Sequence, residues 1–166
     1  MKFKLIILFI VHYLATSAFA QDNVQYITPS ELKKNIDNSK KPTVLQFWIP
    51  NCANADEIIT EYQRLEEKFG KEVNFYFIGI TNKAALVNDL IRKGDYTHNI
   101  YIADTAIDKN INSRKETFCK VLNSFFNRKS PFDFITLFLD KNGKLFYAGD
   151  RLKLKDRQIK NLIRIS

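Results

Sequence analysis

The sequence predicts an α/β fold, and three observations support this prediction. Apolar runs of strand length alternate with segments in which apolar residues recur every three or four positions. Such alternation is typical of parallel strands joined by helical crossovers. Near the end of the chain, Lys141-Asn142-Gly143-Lys144 places Asn-Gly between two apolar runs, which indicates a β-hairpin. We therefore expect a mixed sheet that ends in an antiparallel hairpin and a helix.

The predicted strands are short, and most of them are nearly continuous apolar runs. This pattern is expected of strands that are buried on both faces of a sheet. The first of them is expected at a sheet edge. In chain order, the predicted strands cover residues 24–27, 43–48, 73–80, 100–103, 134–139 and 145–147.

The predicted helices separate these strands and close the chain. Thr28-Pro29-Ser30-Glu31 is a capping box with proline at the first helical position. Gly70 and Gly94 follow the second and third helical segments and are expected to end them. The last helix is amphipathic and basic. The predicted helices cover residues 28–35, 52–69, 84–92, 113–126 and 154–165.

The first 20 residues have the pattern of a cleaved signal peptide. Lys2 and Lys4 precede an apolar run over residues 5–14, and Ala18-Phe19-Ala20 offers small residues at a cleavage site. The alternative is a membrane anchor, but the run is about half of the roughly 20 residues that span a bilayer. We therefore expect residues 1–20 to be removed, residues 21–166 to form one periplasmic or secreted domain, and no stable membrane span.

The whole chain is basic, with a net charge of +8, but it contains only two cysteines, Cys52 and Cys119. Disulfides persist outside the cytoplasm, yet two cysteines are too few for a disulfide scaffold. Either the two cysteines form a disulfide with each other, or at least one of them is present for its chemical reactivity. After the signal segment the chain has one histidine, His98, so no zinc ligand set is present and we expect no metal or other cofactor.

Cys52 stands at the predicted start of a helix, after a short loop that follows a buried strand ending at Trp48. The N–H groups and the positive dipole end of a helix stabilise a thiolate. The carboxylates of Asp56 and Glu57 lie in the first turns of the same helix and destabilise the thiolate. This destabilisation is similar in size to the stabilisation by the helix end. The sequence therefore leaves the reactivity of Cys52 open.

On these residues the chain resembles the thioredoxin superfamily, in particular exported proteins of the TlpA/ResA type. Phe47-Trp48 and Cys52 match the family pattern F-W-A-x-W-C-x-x-C, and residues 136–143 match its later strand and turn. The helix and strand predicted between Ala84 and Asp104 fit an insertion of that branch. The resemblance implies a three-layer α/β/α sandwich, thiol-disulfide exchange through Cys52, and protein thiols or disulfides of the cell envelope as partners.

The departures from the family pattern concern the site itself. The second cysteine is replaced by Ala55, and the tryptophan before the first cysteine by Asn51. The family's proline that faces the thiol aligns with Ile135, or with Phe134 after a one-residue gap, while Pro131 is too early. Without a second thiol at position 55, the intramolecular C-x-x-C redox cycle cannot run. The residues that flank the site under this resemblance are Trp48, Pro50, Asn51, Ala55, Ile135 and Thr136.

Cys119 follows the inward-facing Phe118 on the helix predicted over residues 113–126. It is either a small buried core side chain, which is common for cysteine, or a resolving partner for Cys52. His98 is more simply explained as a surface or capping residue than as a catalytic base. The basic residues from Arg151 to Arg164 suit a solvated helix face, an acidic partner or an anionic envelope surface, and nucleic acid is not expected.

Two functional hypotheses follow. In the first, the protein is an extracytoplasmic thiol-disulfide protein in which Cys52 forms mixed disulfides that a second molecule resolves, with weak or absent dithiol turnover. In the second, the protein is a non-catalytic binding or scaffold module of the envelope that keeps the fold and has lost redox turnover. The fold alone does not choose between them, because function resides in the site.

Overall fold

The computed structural model describes residues 23–128, 134–150 and 152–166. The predicted signal peptide, Pro131 and Arg151 lie outside the described residues. Within them the chain forms six strands and five helices in the predicted order. The strands are β1 (Val24–Ile27), β2 (Thr43–Trp48), β3 (Asn74–Gly79), β4 (Ile100–Ala103), β5 (Thr136–Leu139) and β6 (Leu145–Gly149). The helices are α1 (Pro29–Asn38), α2 (Ala55–Phe69), α3 (Ala84–Lys93), α4 (Ile111–Phe125) and α5 (Asp156–Ile165).

The strands form one mixed sheet in the order β1-β4-β3-β2-β5-β6. The first four strands in this order are parallel to one another, and β5 and β6 add antiparallel pairs. The predicted mixed sheet is confirmed, with β1 and β6 as its outer strands. Because β2, β3 and β4 are parallel, their carboxyl ends lie at one edge of the sheet, which we call the carboxyl edge.

Helices cover both faces of the sheet, so the predicted three-layer α/β/α sandwich is confirmed. Helices α2, α3 and α5 pack on one face and form the first core cluster with the side chains that point to it. Helices α1 and α4 pack on the other face around the second core cluster. Successive side chains of β2 enter the two clusters in turn, as the two-residue period of a strand requires.

Local hydrogen bonds explain where the helices begin. The capping box of α1 is present, since Thr28 Oγ1 accepts from the Glu31 N–H at 3.2 Å and Glu31 Oε2 accepts from the Thr28 N–H at 2.9 Å. Helix α4 begins two residues earlier than predicted, because Asn110 Oδ1 accepts from two N–H groups of its first turn. Helix α5 begins two residues later than predicted, after Lys155.

The predicted hairpin between β5 and β6 is confirmed. Asp140 Oδ1 accepts from the N–H groups of Asn142 and Lys144, both at 2.9 Å. Gly143 adopts φ +72°, a left-handed conformation that glycine reaches without the steric cost of a Cβ. The left-handed conformation of Gly143 and the hydrogen bonds to the Asp140 side chain therefore fix the turn.

Glu66, near the end of α2, makes the stability of the fold depend on pH. Burial raises its pKa from 4.5 to about 7, an effect that the nearby Lys41 only partly offsets. Below pH 4.5 both the folded and the unfolded chain hold this proton. Stability is therefore lost as the pH rises from about 4.5 to about 7.

We expect Glu66→Gln to raise the free energy of unfolding by about 1–3 kcal/mol at pH 8 and to have little effect at pH 4. Urea unfolding at the two pH values measures the difference. Glu67→Gln, at the exposed neighbouring position, serves as the control. Equal effects of Glu66→Gln at both pH values would refute the assignment.

Candidate functional site

Cys52 lies at the carboxyl edge, in the loop that joins β2 to α2. Its N–H donates to the Ile49 carbonyl at 3.2 Å, and its own carbonyl accepts from the Ala55 N–H at 3.2 Å. These bonds form consecutive turns, so α2 begins at Ala55 rather than at residue 52. The predicted helix start is therefore wrong by three residues. Cys52 precedes the first turn of α2 instead of belonging to it.

Pro50 and Trp48 fix the loop against the end of β3. Pro50 is buried, whereas the neighbouring Ile49 and Asn51 are exposed. A Cβ built on Gly79 would lie 3.2 Å from Pro50 Cγ and 3.5 Å from Trp48 Nε1. Gly79 therefore permits a close approach between the loop and β3. Within the described residues, the buried Trp48 Nε1 has no hydrogen-bond partner, an arrangement that costs roughly 1–3 kcal/mol.

An aromatic stack lies beneath this loop, in the first core cluster. The rings of Tyr62 and Phe77 are stacked with centroids 3.6 Å apart, and Trp48 meets Tyr62 edge-on at 5.9 Å. Cys52 is half-buried and packs against the same cluster. Burial, together with Tyr96 and Cys52, raises the pKa of Tyr62 well above its usual range. Tyr62 therefore keeps its proton at neutral pH.

Asp56, one of the two acidic residues expected to oppose the Cys52 thiolate, has a basic partner. Asp56 Oδ2 pairs with Lys93 Nζ, which α3 brings across from 37 positions along the chain. Both side chains are largely exposed, so the pair is worth little in stability. It does, however, place a positive charge beside the negative one at the start of α2. The sequence offered no signal for this contact.

Position 55, where the family has its second cysteine, faces the core. The Ala55 side chain is only 4% exposed and belongs to the first core cluster. Cys119 is 1% exposed and belongs to the second core cluster, on the opposite face of the sheet, with Sγ 3.7 Å from the Phe134 carbonyl oxygen. No disulfide joins the two cysteines in this structure. A resolving role for Cys119 stays a prediction, and its location favours the alternative of a core side chain.

Ile135 and Thr136 connect β5 to its neighbours at the carboxyl edge. The Ile135 carbonyl accepts from the Phe47 N–H at 2.9 Å, and the Ile135 N–H donates to the Gly149 carbonyl at 3.0 Å. A proline at position 135 would lack that N–H group. Thr136 is fully buried, and its Oγ1 accepts from Gln46 Nε2 at 3.0 Å. Ile135 thus lies beside the end of β2, whereas the Thr136 side chain belongs to the interior.

Arg114, which was not predicted from the sequence, is a fully buried cation next to this edge. Its guanidinium donates to the carbonyls of Thr81 at 3.0 Å, Asp108 at 2.6 Å and Lys109 at 3.2 Å. These acceptors lie in the loops that follow β3 and β4, so Arg114 joins the loop next to the Cys52 loop to the following loop along the carboxyl edge. The spacing of Arg114, Phe118 and Leu122 on one face of α4 was the available signal.

Two further features concern a membrane span and His98. Among residues 23–128, 134–150 and 152–166, no helix has the length and apolar character needed to cross a bilayer. His98 is partly buried and meets the Tyr96 ring edge-on at 5.8 Å.

Comparison with known proteins identifies the fold. No family model matches the chain, and no curated protein matches its sequence. Among solved structures, a thioredoxin-like protein in its oxidized form aligns with TM-score 0.54 and 15% identity over 84% of this chain and 86% of that chain. A thiol:disulfide interchange protein of the thioredoxin family from Chlorobium tepidum aligns with TM-score 0.52 and 10% identity over 80% and 83%.

The thioredoxin domain of a thiol-disulfide oxidoreductase from Bacteroides vulgatus aligns with TM-score 0.51 and 13% identity, over 80% of this chain and 81% of that one. These matches extend over most of each chain. The chain therefore has a thioredoxin-like fold, as the resemblance in its sequence predicted, and this fold is shared with proteins of the thiol-disulfide oxidoreductase class.

The different burial of the two cysteines predicts selective alkylation. In the folded protein, iodoacetamide should add one group, at the half-buried Cys52, and denaturant should expose Cys119 to a second addition. Intact-mass spectrometry counts the groups, and Cys52→Ser should show none under native conditions. Modification of Cys119 first would contradict the assigned burial.

Proposed function

We propose that this protein is an exported thioredoxin-like protein of the thiol-disulfide oxidoreductase class in which Cys52 is the single nucleophile. The observation that carries the proposal is the half-buried Cys52 in the loop between β2 and α2, packed against the aromatic core of a thioredoxin-like fold. The signal-peptide pattern of residues 1–20 supports export to the periplasm or beyond the cell. N-terminal sequencing of the mature chain, expected to begin at Gln21, tests this location.

The proposed reaction is thiol-disulfide exchange in two steps. The Cys52 thiolate attacks one sulfur of a partner disulfide, forming a Cys52 mixed disulfide as the partner's S–S bond breaks and its second sulfur leaves as a thiolate. A thiolate of a second molecule then attacks the partner's sulfur in the mixed disulfide, so that a new S–S bond joins this molecule to the partner while the bond to Cys52 breaks and Cys52 leaves as a thiolate. Electrons pass from that second thiol to the original disulfide, and Cys52 returns to its starting state.

Ala55 is the reason for proposing a second molecule. A resolving thiol at position 55 would lie across a single backbone turn from Cys52, but the side chain there is a methyl group packed in the first core cluster. Cys119 is in the second core cluster, beyond the sheet. Resolution therefore depends on a thiol from outside, such as a low-molecular-weight thiol or a protein thiol of the envelope, and ordinary dithiol turnover is expected to be weak or absent.

The second candidate function is a non-catalytic binding or scaffold module. The observation that favours it is the joint replacement of the second cysteine by Ala55, of the preceding tryptophan by Asn51, and of the proline by Ile135. All three positions serve exchange and substrate docking more than folding. In this case Cys52 would be retained without forming mixed disulfides.

Incubation with oxidised glutathione separates the two candidates. We expect the wild-type protein and Cys119→Ala to gain one glutathionyl group that added thiol removes, because exposed thiolate character controls exchange. Cys52→Ser should gain none. Intact-mass spectrometry measures the adduct, and circular dichroism confirms that each variant is folded. A wild-type protein that forms no adduct over hours would favour the binding module.

A further inference from the structure

A groove of about 770 Å³ lies between β6 and α5. The ring of Phe138 forms its floor with that of Tyr147, at 5.5 Å between centroids, and Phe146 is 50% exposed at its side. The opposite wall is the exposed side of α5. We call this feature the basic groove, because its wall carries Lys155, Arg157, Lys160 and Arg164.

The positive charge of the basic groove is not balanced by acids within it. Among the described residues that line it, none carries a carboxylate. The one acid of α5, Asp156, is engaged on the other side, where it accepts from Arg64 Nη2 at 2.8 Å and from Lys68 Nζ at 2.5 Å of α2. Four cations thus surround an opening with an aromatic floor, an arrangement that attracts anions.

We propose that the basic groove binds an acidic peptide segment that carries an apolar side chain between its carboxylates. Arg157 and Arg164 lie seven positions apart on α5, which corresponds to roughly 10 Å along a helix axis. An extended peptide covers that distance in about three residues. Carboxylates at such a spacing can meet the cations of the wall while a side chain between them contacts Phe146.

The shape of the groove favours a peptide over the other large anions. A bilayer surface is flat and cannot place apolar groups in a concave site next to recessed rings. Single-stranded nucleic acid needs exposed aromatic faces on which successive bases stack. Here Phe138 is 1% exposed, and Phe146 alone among the three rings is largely accessible. Charge complementarity and one accessible apolar contact suit a mixed acidic and apolar peptide.

Fluorescence anisotropy tests the proposal with a labelled peptide in which two glutamates flank a central phenylalanine on each side. We expect saturable binding that weakens with salt, and about a tenfold loss of affinity in the double variant Lys160→Gln/Arg164→Gln. The charge-matched control is Lys34→Gln/Lys120→Gln, which changes exposed lysines on α1 and α4 across the sheet and should bind like the wild type. Phe146→Ser should remove the preference for this peptide over one with glycine in place of phenylalanine.

Several outcomes would overturn the proposal: absence of saturable binding, equal losses in the two double variants, or tighter binding to phosphatidylglycerol vesicles or to a single-stranded oligonucleotide. Cys52→Ser should bind the peptide like the wild type, because the basic groove does not use the thiol. A failure of glutathione adduct formation therefore leaves this inference standing, and a failure of peptide binding leaves the proposed function of Cys52 standing.

Discussion

Burial of β2 on both of its faces is the constraint on which the other elements depend. All six of its residues are buried, with β3 paired along one edge and β5 along the other. Val44 and Trp48 enter the first core cluster, while Leu45 and Phe47 enter the second. The helices on either side therefore pack against the same strand. A one-residue shift in its register would move apolar side chains to the wrong face.

Strand β2 also determines where the candidate site lies. The carboxyl end of β2 delivers the loop with Cys52, and Phe47 pairs with Ile135 at the start of β5. Beneath the loop, the aromatic stack that includes Trp48 excludes water from one side of Cys52, and the pair of Asp56 with Lys93 lies at the start of α2. The site therefore contains one half-buried thiol, that of Cys52, and no second thiol at position 55. This arrangement suits exchange with an outside thiol better than an internal dithiol cycle.

The sequence predicted those parts of the fold that depend on local sequence patterns. Buried strands such as β2 and the Asn-Gly hairpin have periodic or turn signals, and their order implies the layers of the fold. Features that depend on distant contacts were missed, because Lys93 meets Asp56 only after α3 packs beside α2, and the partners of Arg114 lie in two separate loops. The start of α2 was misplaced because turns at Cys52 and Ala55 satisfy the backbone without a helix. The motif supplied the position of Cys52, whereas the burial of Ala55 and Cys119 required the three-dimensional structure.

Under the proposed function, Ala55 limits this protein to exchange through a single thiol. The rate of insulin reduction by dithiothreitol, measured in the presence of the wild-type protein, Ala55→Cys, and Ala55→Ser as the matched control, tests this limit. A thiol at position 55 should complete the C-x-x-C pair, so we expect faster reduction with Ala55→Cys alone and rates near the uncatalysed one for the other two proteins. Insulin reduction by the wild-type protein as fast as by Ala55→Cys would contradict it.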